Sequence, residues 1–166
     1  RFFGVTVDSL LNTDKTEREG EIRELISLYD NCGINDTPIL YEEFKAAAKK
    51  FPDEYRILVR YMELIQETRI FGNSSAIIKS GEHKKLSAEI CRLYDIIQKH
   101  CTDDSIRIKA KRIMISHLLW KYDCLPDENG SYHKDNTCLI QAKEIAVTLA
   151  ETKDSKEIIL TGIHED

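Results

Sequence analysis

Apolar residues recur three and four positions apart through most of this chain, and that spacing leaves little room for any fold but packed helices. With about 3.6 residues per turn, such positions stack on one side of a helix. Ile22, Leu25, Ile26 and Tyr29 form the first clear stripe. Leu58, Tyr61, Met62 and Ile65 form another, widened by Ile57 and Leu64. Leu86, Ile90, Leu93, Tyr94 and Ile97 follow, then Ile106, Ala110, Ile113, Met114 and Leu118, then Ala142, Ile145, Ala146 and Leu149. Ile108, Ile115, Leu119 and Trp120 fall off their stripe, so the helix at 106–120 is apolar on more than one side. A helix of that kind is expected to sit centrally and touch neighbours on both sides.

Local signals divide these stripes into elements. Thr13 with Glu17, or Thr16 with Glu19, offers a capped and acidic first turn, so the first helix is expected to begin near Thr13 and Asp14. Gly33 supplies a left-handed stop. Thr37-Pro38 caps and opens a helix running to about Phe51, with Pro52 ending it and free to begin the next. Gly72-Asn73-Ser74-Ser75 interrupts the pattern, which makes 72–82 the expected hinge. Thr102-Asp103-Asp104-Ser105 is another capping signal, and 124–136, with Pro126 and Gly130, is the longest expected loop. Asn136-Thr137 opens the last clear helix, and Asp154-Ser155 precedes a further apolar run at Ile158, Ile159 and Leu160. Ahead of all this, the alternation of Phe3, Val5 and Val7 reads as a short extended arm over 1–13. The expected fold is therefore all-α: an antiparallel helical array, or an irregular helical-repeat-like bundle, of six to seven helices in one domain over 14–166. No fixed repeat period is present. The chain reads as a piece of a larger protein.

Composition narrows the classes of function. The formal net charge is -5, without the clustered Lys/Arg excess that phosphate binding needs, so nucleic acid is not an expected partner. No apolar run approaches the ~20 residues of a membrane span. Five cysteines cannot all pair within one chain, and no Cys-x-x-Cys occurs, which favours a reducing, cytoplasmic or otherwise intracellular setting. Asn73-Ser74-Ser75 and Asn129-Gly130-Ser131 fit the glycan acceptor pattern and keep open a secreted helical signalling protein.

Residues 21–51 carry the one local motif. Glu24-Leu25-Ile26-Ser27-Leu28-Tyr29-Asp30 leads into a loop, and Ile39-Leu40-Tyr41-Glu42-Glu43-Phe44 leads out of it. This helix–loop–helix resembles a degenerate EF-hand, whose exit reads Ile-x-x-x-Glu. The resemblance implies calcium as the ion, with Glu43 as the bidentate carboxylate and Asp30 and Asp36 as further ligands, and so a calcium-regulated or regulatory module. The loop departs from the family at Cys32 and Ile34, where carboxylates are wanted, and at Thr37, which replaces the turn glycine. Two capped amphipathic helices joined by a glycine turn account for the same residues.

Other chemistry finds less. His117, Cys124, His133 and Cys138 offer nitrogen and sulfur donors at spacings that match no zinc knuckle, and His117 falls on the inner stripe of its helix. Asp127-Glu128-Asn129-Gly130 is rich in oxygen but has no closing glutamate, since Asn136 falls there. No nucleophile elbow or phosphate-binding loop occurs, so an enzyme is not expected. The leading expectation is a non-catalytic protein–protein interaction or scaffold module, with a protein or another part of a larger chain as partner and no cofactor. Trp120 and Tyr122 are the aromatic candidates for its contact site, because such residues anchor interfaces. Arg107 and Lys111, from the run Arg107-x-Lys109-x-Lys111-Arg112, are the candidates for meeting an acidic partner.

Overall fold

A computed structural model describes residues 7–33, 37–70, 83–124 and 136–150. Among them run six helices: α1 (Val7–Asn31), α2 (Thr37–Lys50), α3 (Tyr55–Ile70), α4 (His83–His100), α5 (Asp104–Cys124) and α6 (Asn136–Ala150). The described part of the chain is all-α, and consecutive helices from α2 to α6 pack on one another. The expected hinge at 72–82, the loop interior at 125–135 and the apolar run after Asp154 lie outside the described residues.

Three boundaries differ from expectation. Helix α1 begins at Val7, so the extended arm does not hold over 7–13, and 1–6 lie outside the described residues. The physical reason is in the sequence: Leu10 and Leu11 stand three and four positions after Val7, and no proline intervenes, so the helical spacing runs on unbroken. The same helix stops at Asn31 rather than at Gly33. There the Asn31 side-chain amide turns back and donates to the Ser27 carbonyl at 2.7 Å, one turn before the helix end. Pro52 sits in the turn after α2 and does not open α3. The carbonyl of Glu54 accepts from the amides of Ile57 and Leu58 at 3.0 and 3.1 Å, so Glu54 is the residue from which α3 springs at Tyr55. At α5 the cap is Asp103, whose carboxylate accepts the Ser105 amide at 2.8 Å and the Ser105 hydroxyl at 2.6 Å.

The core runs continuously through the described helices. Ile22 of α1, Phe44 of α2, Ile90, Leu93 and Ile97 of α4, Ala110, Ile113, Met114 and Leu118 of α5, and Cys138 and Ala142 of α6 are all buried in it. Helix α3 is its hub, contacting α1, α2, α4 and α5, and Ile57, Leu58, Val59, Tyr61, Met62, Leu64 and Ile65 are all buried. A helix with so wide an apolar face belongs in the middle. Helix α5 contacts α3, α4 and α6, as its two-sided pattern predicts, although Leu119 stays 40% exposed.

Candidate functional site

Polar side chains converge in two places. The first lies where α1, α3 and α5 meet. Tyr29, edge-on to Phe44 at 5.5 Å between ring centres, donates its hydroxyl to Glu63 at 2.5 Å, and Lys109 reaches the same carboxylate at 2.6 Å. Burial, and then the Glu63 carboxylate that accepts its proton, raise the Tyr29 phenol well above its ordinary range. Burial and the neighbouring negative charge of Glu63 raise Glu67 as well. Arg60 bridges to Asp30 at 3.3 Å, and its guanidinium lies 5.4 Å from the centre of the Tyr29 ring. One turn earlier Arg56 holds Glu54 at 2.6 Å and forks onto Glu19 at 3.2 and 2.9 Å. The paired side chains among them fasten α1 to α3.

The second convergence is open. Helices α2 and α4 both pack on α3, and a furrow of about 660 Å³ lies between them. Tyr41, Glu42, Lys45, Ala48 and Lys49 line it from α2, Lys85, Leu86, Glu89 and Arg92 from α4, Tyr61 from α3, and Pro52 from the turn after α2. Helical spacing brings them there: Tyr41, Lys45 and Lys49 stand four apart on one edge of α2, and Lys85, Glu89 and Arg92 four and three apart on α4. Tyr61 is only 4% exposed and Tyr41 only 6%, and their tilted rings are 5.8 Å apart. Burial, above all, holds the Tyr61 phenol protonated, helped by Tyr41 and by the charges of Glu89 and Glu42. On the walls, Lys45 pairs with Glu42 at 3.2 Å and Arg92 with Glu89 at 2.7 Å. The Arg92 hydrogen bond lowers the Glu89 carboxyl below its ordinary value, and Lys49 adds to the effect.

The residues singled out from sequence sit elsewhere. Arg107 and Lys111 stand four apart on one edge of α5, with Arg107 paired to Asp104 at 3.2 Å. Lys109, between them, turns to Glu63. Trp120 is nine residues beyond Lys111, about half a turn round the helix, so it does not share the Arg107–Lys111 edge. Tyr122 is half-buried and packs against the core. The four therefore do not make one patch. Of the calcium candidates, Asp30 is on Arg60, Glu43 is exposed on α2, and Asp36 lies outside the described residues. His117 is fully buried, 3.0 Å from the Ser87 hydroxyl, and Cys138 is buried in the α6 face of the core. Among the described residues no group of three metal-binding side chains gathers, and no helix is long and apolar enough to cross a membrane.

Sequence reasoning missed the furrow. Its signal was there in the two charged edges, Tyr41/Lys45/Lys49 and Lys85/Glu89/Arg92, but each alone reads as the solvated side of an amphipathic helix. Comparison with family models, with curated proteins and with solved structures finds no match for this chain.

Proposed function

We propose that the chain is a non-catalytic protein-interaction module whose contact site is the furrow between α2 and α4. The observation that carries this reading is the furrow itself: a concave surface of about 660 Å³ held on three rigid helices, with buried tyrosines beneath and charged side chains along both walls. That volume falls within the ~300–1,000 Å³ range of ordinary ligand sites. Fixed helices keep its side chains in place before a partner arrives, which lowers the entropy lost on binding. Its titratable groups suit holding better than transforming, because Glu42 and Glu89 are committed to ion pairs.

The test is site-specific photo-crosslinking in cells that express the chain. A photoreactive residue at Lys49, in the furrow, is expected to capture a discrete protein partner that the same residue at Glu24, exposed on α1, does not. Capture from Glu24 and not from Lys49 would overturn the assignment of the site.

A further inference from the structure

The furrow carries a charge opposite in sign to the rest of the molecule. Four cations line it, Lys45, Lys49, Lys85 and Arg92, against two carboxylates, Glu42 and Glu89. Both carboxylates are already engaged within their own helices, Glu42 by Lys45 and Glu89 by Arg92. Lys49 on the α2 wall and Lys85 on the α4 wall are both exposed, and neither makes an ion pair among the described residues. Two positive charges that make no ion pair among the described residues therefore line one concave surface, one from each wall, with Lys49 also acting on Glu89 through its charge, on a chain whose formal total is -5. Leu86, Ala48 and Pro52 line the same furrow and offer apolar contact.

We propose that this furrow binds an acidic peptide segment of a partner protein, with carboxylates meeting Lys49 and Lys85 and an aliphatic side chain seated on Leu86 and Pro52. The inference rests on the reading of the furrow as the contact site. Charge complementarity selects the partner and speeds its encounter, while the apolar contact supplies affinity that charge pairs at a rim do not. The same features disfavour a nucleic acid strand. Its evenly spaced phosphates would run past Glu42 and Glu89 as well as the lysines, and tyrosines this deeply buried present no ring face for a base to stack on.

Fluorescence anisotropy tests the proposal with the full chain and a labelled heptapeptide, Asp-Glu-Leu-Glu-Asp-Leu-Glu. Its amide counterpart, Asn-Gln-Leu-Gln-Asn-Leu-Gln, and a twelve-nucleotide oligothymidylate serve as comparisons. The acidic peptide is expected to bind more tightly than either, and to weaken as salt rises. Lys49→Glu/Lys85→Glu is expected to weaken it about tenfold, from two exposed ion pairs lost and two repulsions gained. Lys49→Gln/Lys85→Gln, which adds no new charge, is expected to give a smaller loss in the same direction. Equal binding of the acidic and amide peptides, preference for the oligonucleotide, or indifference to both double variants would overturn the proposal. If the amide peptide binds and crosslinks at Lys49, the acidic specificity fails while the furrow remains the contact site. If no peptide binds and partner capture occurs only from Glu24, both readings fail.

Discussion

Tyr29 shows how one side chain does two jobs at a helix junction. Its ring packs on Phe44, and its hydroxyl donates to Glu63, a carboxylate that Lys109 also holds. Tyr29→Phe keeps the ring and deletes the donor. It is expected to cost about 1.5–3 kcal/mol in urea unfolding, the usual range for a hydrogen bond to a charged acceptor, and no measurable loss would show the bond to be idle. Glu67 carries the opposite sign. Burial and the Glu63 charge raise its folded pKa, so the folded state holds its proton more tightly than the unfolded chain does. That group costs stability once pH rises above the ordinary carboxylate range, and costs nothing below it. Glu67→Gln is therefore expected to raise the melting temperature at pH 7 and to lose that advantage in acid. A gain that persists in acid would point to packing instead of charge. Asp103 runs the other way: hydrogen bonds from Ser105 and Ile106 lower its pKa, so its cap contributes above the unfolded Asp pKa and fades as pH falls through the lowered folded value. Asp103→Ala is expected to lower the melting temperature at pH 7, with the difference shrinking in acid.

At the level of elements, the six helices are not held in equal ways. Helix α3 is gripped by hydrophobic burial, and Met62 and Ile65 are fully buried in it. Truncating either to alanine is expected to destabilise the fold by about 2–5 kcal/mol in chemical denaturation, because both transfer energy and a cavity are involved. Helix α1 is held differently. It buries Ile22 and packs Leu25, Ile26 and Tyr29 against the core, and much of its further attachment among the described residues is polar: the ion pairs Arg18–Asp53, Glu19–Arg56, Glu21–Lys50 and Asp30–Arg60 and the Tyr29–Glu63 hydrogen bond. Hydrogen exchange in α1 is therefore expected to be faster than in α3, and Arg56→Ala to speed it further while leaving α3 protected. Equal acceleration in both helices would mean that α1 and α3 open as one unit.

As a whole molecule, the described helices share one core, and the half-buried Trp120 lies in the last turns of α5. Trp120 fluorescence and far-UV ellipticity are expected to follow one urea curve, and separated midpoints would divide the core into independent parts. Lys49→Gln/Lys85→Gln touches only exposed charges and is expected to leave stability within about 0.5 kcal/mol, so its effect on peptide binding would be read without a folding defect. The helical class and most of the inward faces were legible before any coordinates: Ile22, Leu58, Met62, Ile65, Ile90, Leu93, Ile97, Ile113, Leu118, Ala142 and Leu149 are buried, each on a stripe read from spacing alone. That follows because helix periodicity and capping act over three or four residues, a range the linear sequence records directly. Which helix became the hub, and where the furrow opened, were not recorded there. Consecutive residues such as Ile57-Leu58-Val59 show that a helix has a wide apolar face, but not which neighbours cover it. Lys49 and Lys85 are 36 positions apart and come to line one furrow only when α2 and α4 both pack on α3. Local propensity sets each helix and its greasy side; the meeting of distant polar edges depends on how those sides share one core, and only the tertiary arrangement decides that.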